Sequence, residues 1–163
     1  MNALDLQRFC ADEDDRRRIY FQEPWTRDGW TWATDGRILV RVPAIAEIPD
    51  NEQAPAALKL WAECEAIRPS GEWFPVPQVE LHDIHCPTCH GSGSHECSCG
   101  DEHKCLRCDG GGTVEDWESS HHIGAAHFAD RLLYLIQGWE ISPGGKTDAA
   151  WIRCGEAEGL LMP

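Results

Sequence analysis

The chain of 163 residues, 42% hydrophobic and 26% charged with eight Trp, has the composition of one folded globular domain and is too short for two ordinary ones. Its longest apolar runs, Ile38 to Val40 and Leu132 to Ile136, fall far below the roughly 20 residues of a membrane span, and the basic-then-apolar start of a signal segment is missing, so a cytoplasmic location is expected. The formal net charge of -14 disfavours direct nucleic-acid binding and points instead to a protein partner.

Asn2 can cap a short helix over Ala3 to Cys10, where Leu6 and Phe9 stand three apart. The run Asp12-Glu13-Asp14-Asp15-Arg16-Arg17-Arg18 reads as a solvated turn, and a first strand is expected near 18 to 22. Trp30 to Ala33 and Ile38 to Val42 are β-rich segments joined through Thr34-Asp35-Gly36-Arg37, a hairpin signal, with Pro43 ending the second strand. After a linker from Pro49 to Pro55, Leu58, Trp61, Cys64 and Ala66 or Ile67 recur at helical spacing, making Ala56 to Ile67 a helix and Cys64 a core thiol. Trp73 to Pro77, broken by two Pro, is at best an edge segment, whereas Val79 to Ile84 alternates as a half-buried strand should. Thr113 to Trp117 alternates again, and Ala125 to Gln137 puts Phe128, Leu132, Leu135 and Ile136 on one helical face. Trp139 to Ile141, Ala149 to Cys154 and Gly159 to Met162 close the chain as three strands, with Cys154 in a strand.

Six of the nine Cys lie between Cys86 and Cys108, in pairs spaced for metal rather than for a disulfide framework. Cys86-Pro87-Thr88-Cys89-His90-Gly91-Ser92-Gly93 and Cys105-Leu106-Arg107-Cys108-Asp109-Gly110-Gly111-Gly112 are two copies of C-x-x-C-x-G-x-G. Two Cys separated by two residues put both thiolates on one side of a tight knuckle, and two knuckles supply four tetrahedral ligands with no open position, the chemistry of a structural zinc site. The glycines let the chain reverse after the second thiolate with positive φ and backbone N–H groups turned toward sulfur.

This pattern resembles the cysteine-rich region of DnaJ-type chaperones, in which four such repeats form an extended hairpin holding two zinc ions; here two repeats match, over Cys86 to Gly112. In that family the outer repeats pair, which by analogy assigns Cys86, Cys89, Cys105 and Cys108 to one Zn2+. The stretch between them departs from the inner repeats, yet His95, Cys97, Cys99 and His103 offer the ligands of a second zinc; the competing expectation is a solvated hairpin tip with free thiols. His85 and His90 are expected beside the site rather than on the metal. A J-domain helix pair and its His-Pro-Asp signature are missing, so the resemblance implies the zinc module without the chaperone function.

With Cys86 to Gly112 set aside, a helix followed by three strands occurs twice. That order resembles one domain of the sliding clamps, the processivity rings of DNA polymerases. Trp32-Ala33-Thr34-Asp35-Gly36-Arg37-Ile38-Leu39-Val40 resembles the clamp's Ala-Thr-Asp-Gly-His-Arg-Leu hairpin, Gly159-Leu160-Leu161-Met162-Pro163 the Met-Pro strand near a bacterial clamp's C-terminus, and Phe128 to Leu133 its second helix. The resemblance implies an α+β fold, a single clamp-like domain over 1–84 and 113–163 with the DnaJ-like zinc hairpin inserted at 85–112. Bacterial clamp chains carry three such domains, and this chain has room for one.

Enzyme readings fail on pattern. His121-His122-Ile123 and His127 follow two knuckles as in a His-Asn-His nuclease, but Asn51 is the last Asn. The H-x-E and P-C-x-x-C motifs of a zinc deaminase are missing too. The expected function is therefore a non-enzymatic zinc-binding interaction protein of phage-encoded character, a clamp-related replication accessory contacting a protein machine that acts on DNA. That reading expects Arg8, Arg131 and His127 on a helix-borne surface beside DNA. An acidic inhibitor or DNA mimic that blocks a host defence or nucleic-acid enzyme is the alternative, and a chaperone-like client binder the third.

Overall fold

The computed structural model describes residues 3–13, 18, 21–51, 55–66, 68, 71–96, 100–116 and 119–163. Within them a short helix α1 (Ala3–Gln7) precedes a meander of β1 (Trp25–Arg27), β2 (Trp30–Thr34) and β3 (Ile38–Pro43), followed by helix α2 (Pro55–Ala66) and β4 (Phe74–Pro75). The cysteine segment contributes β5 (Asp83–His85), β6 (Ser94–Glu96), β7 (Glu102–Lys104) and β8 (Thr113–Glu115). Then come β9 (Ser120–Ile123), β10 (Ala126–Ala129), helix α3 (Asp130–Leu135) and a second meander, β11 (Glu140–Ser142), β12 (Ala150–Cys154) and β13 (Ala157–Leu161).

The two meanders meet edge to edge through β3 and β13, giving one sheet in the order β1-β2-β3-β13-β12-β11-β4, antiparallel throughout. The fold is thus α+β, and the order helix then three strands does occur twice, as α1-β1-β2-β3 and α3-β11-β12-β13. Two Asp-Gly dipeptides shape the first meander. Asp28 and Gly29, with φ of 53° and 79°, form the two-residue turn that sets Arg27 opposite Trp30. At the second, the Asp35 carboxylate accepts the N–H groups of Arg37 and Ile38 at 2.7 and 2.9 Å while Gly36 takes a φ of 86°.

Period-two alternation splits the strands between two apolar layers. Ile38, Val40 and Val42 of β3, Ala150 and Ile152 of β12 and Leu161 of β13 face Leu6 and Phe9 near α1 and Leu132, Leu133 and Ile136 of α3 and its end. Trp32, Leu39, Trp151 and Leu160 face the other way, against Trp61 of α2. Trp61 meets the edges of Trp32 and Trp151 at centroid distances of 5.2 and 5.0 Å, contacts that add roughly 0.5–1.5 kcal/mol each beyond the area they bury. The Arg41 guanidinium lies 4.2 Å from the Trp30 ring and 4.0 Å from that of Trp61 and bonds Glu158, closing this layer with a satisfied charge.

Several expectations change. The first strand is Trp25–Arg27, not 18 to 22: Phe21 lies in a turn, and residues 19–20 fall outside the described set. The helix expected from Ala125 begins only at Asp130, because Ala126–Ala129 pair in register with Ser120–Ile123 as a hairpin; His127 is therefore on a strand, not a helix. Arg8 is exposed in the turn that follows α1, and Arg131 is half-buried on α3, so the expected helix-borne surface keeps only one of its three members. Of Val79 to Ile84 only Asp83 and Ile84 are in a strand, and Val79 is buried singly, its carbonyl accepting the Gln137 amide. Trp73 to Pro77 does supply the edge strand β4, and Cys64 is half-buried against the Trp layer. No helix among the described residues is long and apolar enough to cross a membrane.

Candidate functional site

The two knuckles interrupt a single long hairpin whose ladders are β5 with β8 and β6 with β7. Three backbone features of one knuckle recur in the other. The N–H of Cys86 donates to the Gly112 carbonyl and that of Cys105 to the Gly93 carbonyl, both at 2.8 Å. Residues His90 and Asp109 take φ of 52° and 48°, and the glycines that follow them, Gly91 and Gly110, take 90° and 78°. The chain thereby turns so that the N–H of Gly93 donates to the Cys89 sulfur and that of Gly112 to the Cys108 sulfur, each at 3.3 Å. The last position of the pattern, Gly93 and Gly112, is glycine for a steric reason as well. A Cβ on Gly93 would run into the Gly110 carbonyl oxygen, and one on Gly112 into that of Gly91, so the knuckles press backbone against backbone.

This packing brings four sulfurs together. Cys86 Sγ is 3.8 Å from Cys105 Sγ, Cys89 Sγ is 3.7 Å from Cys108 Sγ, and all four lie within 4.8 Å of one another. A disulfide would need about 2.05 Å. Four sulfurs each at about 2.3 Å from a central tetrahedral ion are separated by about 3.8 Å, which is the spacing of these pairs. Cys86 and Cys105 are fully buried, Cys89 nearly so and Cys108 half-buried, so the set is closed and suits a structural rather than a catalytic ion.

The thiols also carry the electrostatics of a ligand set. Burial opposes ionisation of Cys86, yet N–H groups of Cys89 and Thr88 outweigh it and bring the thiol down to about 6. Burial also opposes ionisation of Cys89, and the N–H groups of Gly93 and Gly91 again prevail and lower it. Cys108 goes the other way, to about 11, through burial and its proximity to the other three sulfurs. One thiolate forming readily while a neighbour resists is how like-charged groups share a site, and a dication relieves that conflict.

The expected ligands Cys86, Cys89, Cys105 and Cys108 are therefore brought together. His85 stands beside the knuckle, its ring covering Gly91, and His90 is exposed in its left-handed turn. Of the second set, His95 and His103 face each other across β6 and β7, both exposed, while Cys97 and Cys99 lie outside the described residues.

Two features escaped the sequence reading. The Asp130 carboxylate, 5% exposed, accepts Ser119 Oγ at 2.5 Å and lies 2.6 Å from His121 Nδ1. Burial would raise this carboxyl, but Ser119 and then His121 outweigh it and hold it below its ordinary value of 3.8. Ser119 here bonds the carboxylate and not the imidazole, so the nucleophile-to-base hydrogen bond of a hydrolytic triad is not made; the group ties the start of α3 to the chain leaving the hairpin. The second feature is an apolar pocket of about 190 Å³ beside α2, lined among others by Thr34, Gly36, Leu39, Leu60, Leu160 and Met162. Its rim is fixed by the Met162 N–H, which donates to the Arg37 carbonyl at 2.9 Å.

Compared with protein-family models, with curated proteins and with solved structures, the chain matches none.

Proposed function

We propose that the protein is a non-enzymatic interaction module: a zinc-stapled hairpin on a body related to one domain of the sliding clamps, whose apolar pocket takes Leu- or Phe-like side chains of a short peptide from a protein that acts on DNA. The observation that carries this reading is a convergence. The two segments bearing the clamp resemblance, Thr34 to Leu39 and Leu160 to Met162, are remote in sequence and line the same pocket. Zinc is the ion that four thiolates at tetrahedral spacing suit best in a closed site.

The pocket has room for one or two apolar side chains, and each buried there contributes roughly 1.5–3 kcal/mol. The neighbouring backbone turn supplies orientation, since Thr34 Oγ1 is already committed to the Ile38 carbonyl at 2.5 Å and to the Gly36 N–H at 2.9 Å and holds the rim rigid. Binding of this kind depends little on salt. The acidic-inhibitor reading, favoured by the net charge of -14, requires the opposite, a charge-driven complex that weakens steeply as salt rises.

Leu60 is only half-buried, so Leu60→Asp fills the pocket mouth with charge without opening the core. Affinity capture from host lysate with the wild-type chain should recover a replication or repair protein that Leu60→Asp loses and that survives a salt wash. Equal capture by the variant, or release by salt alone, overturns the pocket reading.

A further inference from the structure

Three histidines of the β9–β10 hairpin have different fates. His121 turns to the core side and is taken up by Asp130. His122 and His127 stand directly opposite one another on the other side, both exposed. Their ring centroids are 3.5 Å apart with the planes tilted by 49°, and neither ring has a hydrogen-bond or ion-pair partner among the described residues. We propose that His122 and His127 form a second, open metal site: a two-imidazole clip for a borderline divalent transition cation, Ni2+, Cu2+ or Zn2+, with water in the remaining positions.

Three observations carry this. First, imidazole nitrogen suits these ions, whereas Mg2+ and Ca2+ need oxygen ligands that this pair does not offer. Second, two imidazoles on one ion, each with a metal–nitrogen distance of about 2.0–2.1 Å, place their donor nitrogens about 2.9 Å apart at a square or octahedral angle and about 3.3 Å apart at the tetrahedral one. Rings already in contact reach that arrangement by side-chain rotation alone. Third, the backbone beneath them is held. Ile123, Ala126 and Phe128 of the same hairpin are buried in the main core, so the two Cα positions are fixed before any ion arrives. The four-cysteine set differs in kind: it is closed, sulfur-only and enclosed by its own knuckles, while this clip has free coordination positions facing solvent.

The probe is Ni2+, added below stoichiometry to the reduced, zinc-loaded full chain and followed residue by residue through paramagnetic broadening of the histidine signals. His122 and His127 should broaden first. His122→Ala and His127→Ala should each weaken Ni2+ at that place by at least the roughly tenfold that loss of even a supporting residue costs a metal site. His103→Gln, on the zinc hairpin, should leave it unchanged. Because both side chains are exposed, an unchanged amide spectrum checks that each variant folds. Broadening confined to the histidines of the zinc hairpin, such as His95 and His103, or undiminished binding in His127→Ala, overturns the assignment.

Discussion

The hairpin and the body of this chain solve the same problem by different physics. The body offsets the entropy of ordering by burying two apolar layers against one sheet, with aromatic edges and aliphatic side chains in contact on both faces. Among the described residues the hairpin has no such layer. Its buried side chains there are three of the cysteines themselves, joined by half-buried Cys108 and Val114, and β5, β6 and β7 are almost entirely exposed. A two-stranded ribbon of that kind is marginal in water. On the proposed reading a metal ion held by the four cysteines supplies the missing order, so the two regions should fail under different insults.

The largest effect expected is therefore metal removal. Structural zinc sites contribute on the order of 10–16 kcal/mol in isolated peptides, so a strong chelator, or Cys105→Ser, should collapse the amide dispersion of residues 83–115 while the near-ultraviolet signal of the buried Trp residues persists. Acid should act the same way, since each thiolate must release the metal to take a proton. Simultaneous loss of both signals would erase the distinction between the regions. The converse experiment is Phe128→Ala, which empties a fully buried position of the body. It should cost about 3–5 kcal/mol in thermal or denaturant unfolding and leave the metal content unchanged.

Smaller effects sharpen the contrast within each region. Gly93→Ala forces a Cβ against the Gly110 carbonyl at a φ of 80°, whereas Gly100→Ala has a φ of 86° and open space around it. Both carry the left-handed penalty of roughly 1–2 kcal/mol, but only Gly93→Ala should also speed metal transfer to a chelator. In the body, Asp130→Asn should cost about 1–3 kcal/mol through the bonds from Ser119 and His121. The Asp130 carboxyl is depressed in the folded state, so its contribution is present above 3.8 and is lost as pH falls through its lower folded value. Wild-type stability should thus drop more steeply than that of Asp130→Asn at the acid end of a pH series of denaturant titrations.

The knuckles were legible because their constraints are local. A thiolate pair two residues apart and glycines at set offsets fix conformation within eight residues, and both copies adopt it. The meanders were legible where a turn residue sits between β-rich runs, as at Asp35-Gly36, and the same rule applied to Asp28-Gly29 would have found β1. The β9–β10 hairpin was missed because its spacing is ambiguous: Phe128, Leu132 and Ile136 lie four apart and suit a helix, while Ala126 and Phe128 are buried just as well by strand alternation. Pairing with Ser120–Ile123 decides between them, and that choice lies outside any local window. The Ser119–Asp130–His121 bonds and the apolar pocket depend on segments meeting across the fold, which spacing alone does not encode.

Zinc content of the purified, reduced chain, measured beside the variant with Cys86, Cys89, Cys105 and Cys108 all replaced by Ser, tests the central claim most directly. The account predicts that the variant holds one equivalent less than the wild type, whatever other ions either binds. Equal zinc in the two proteins would contradict it.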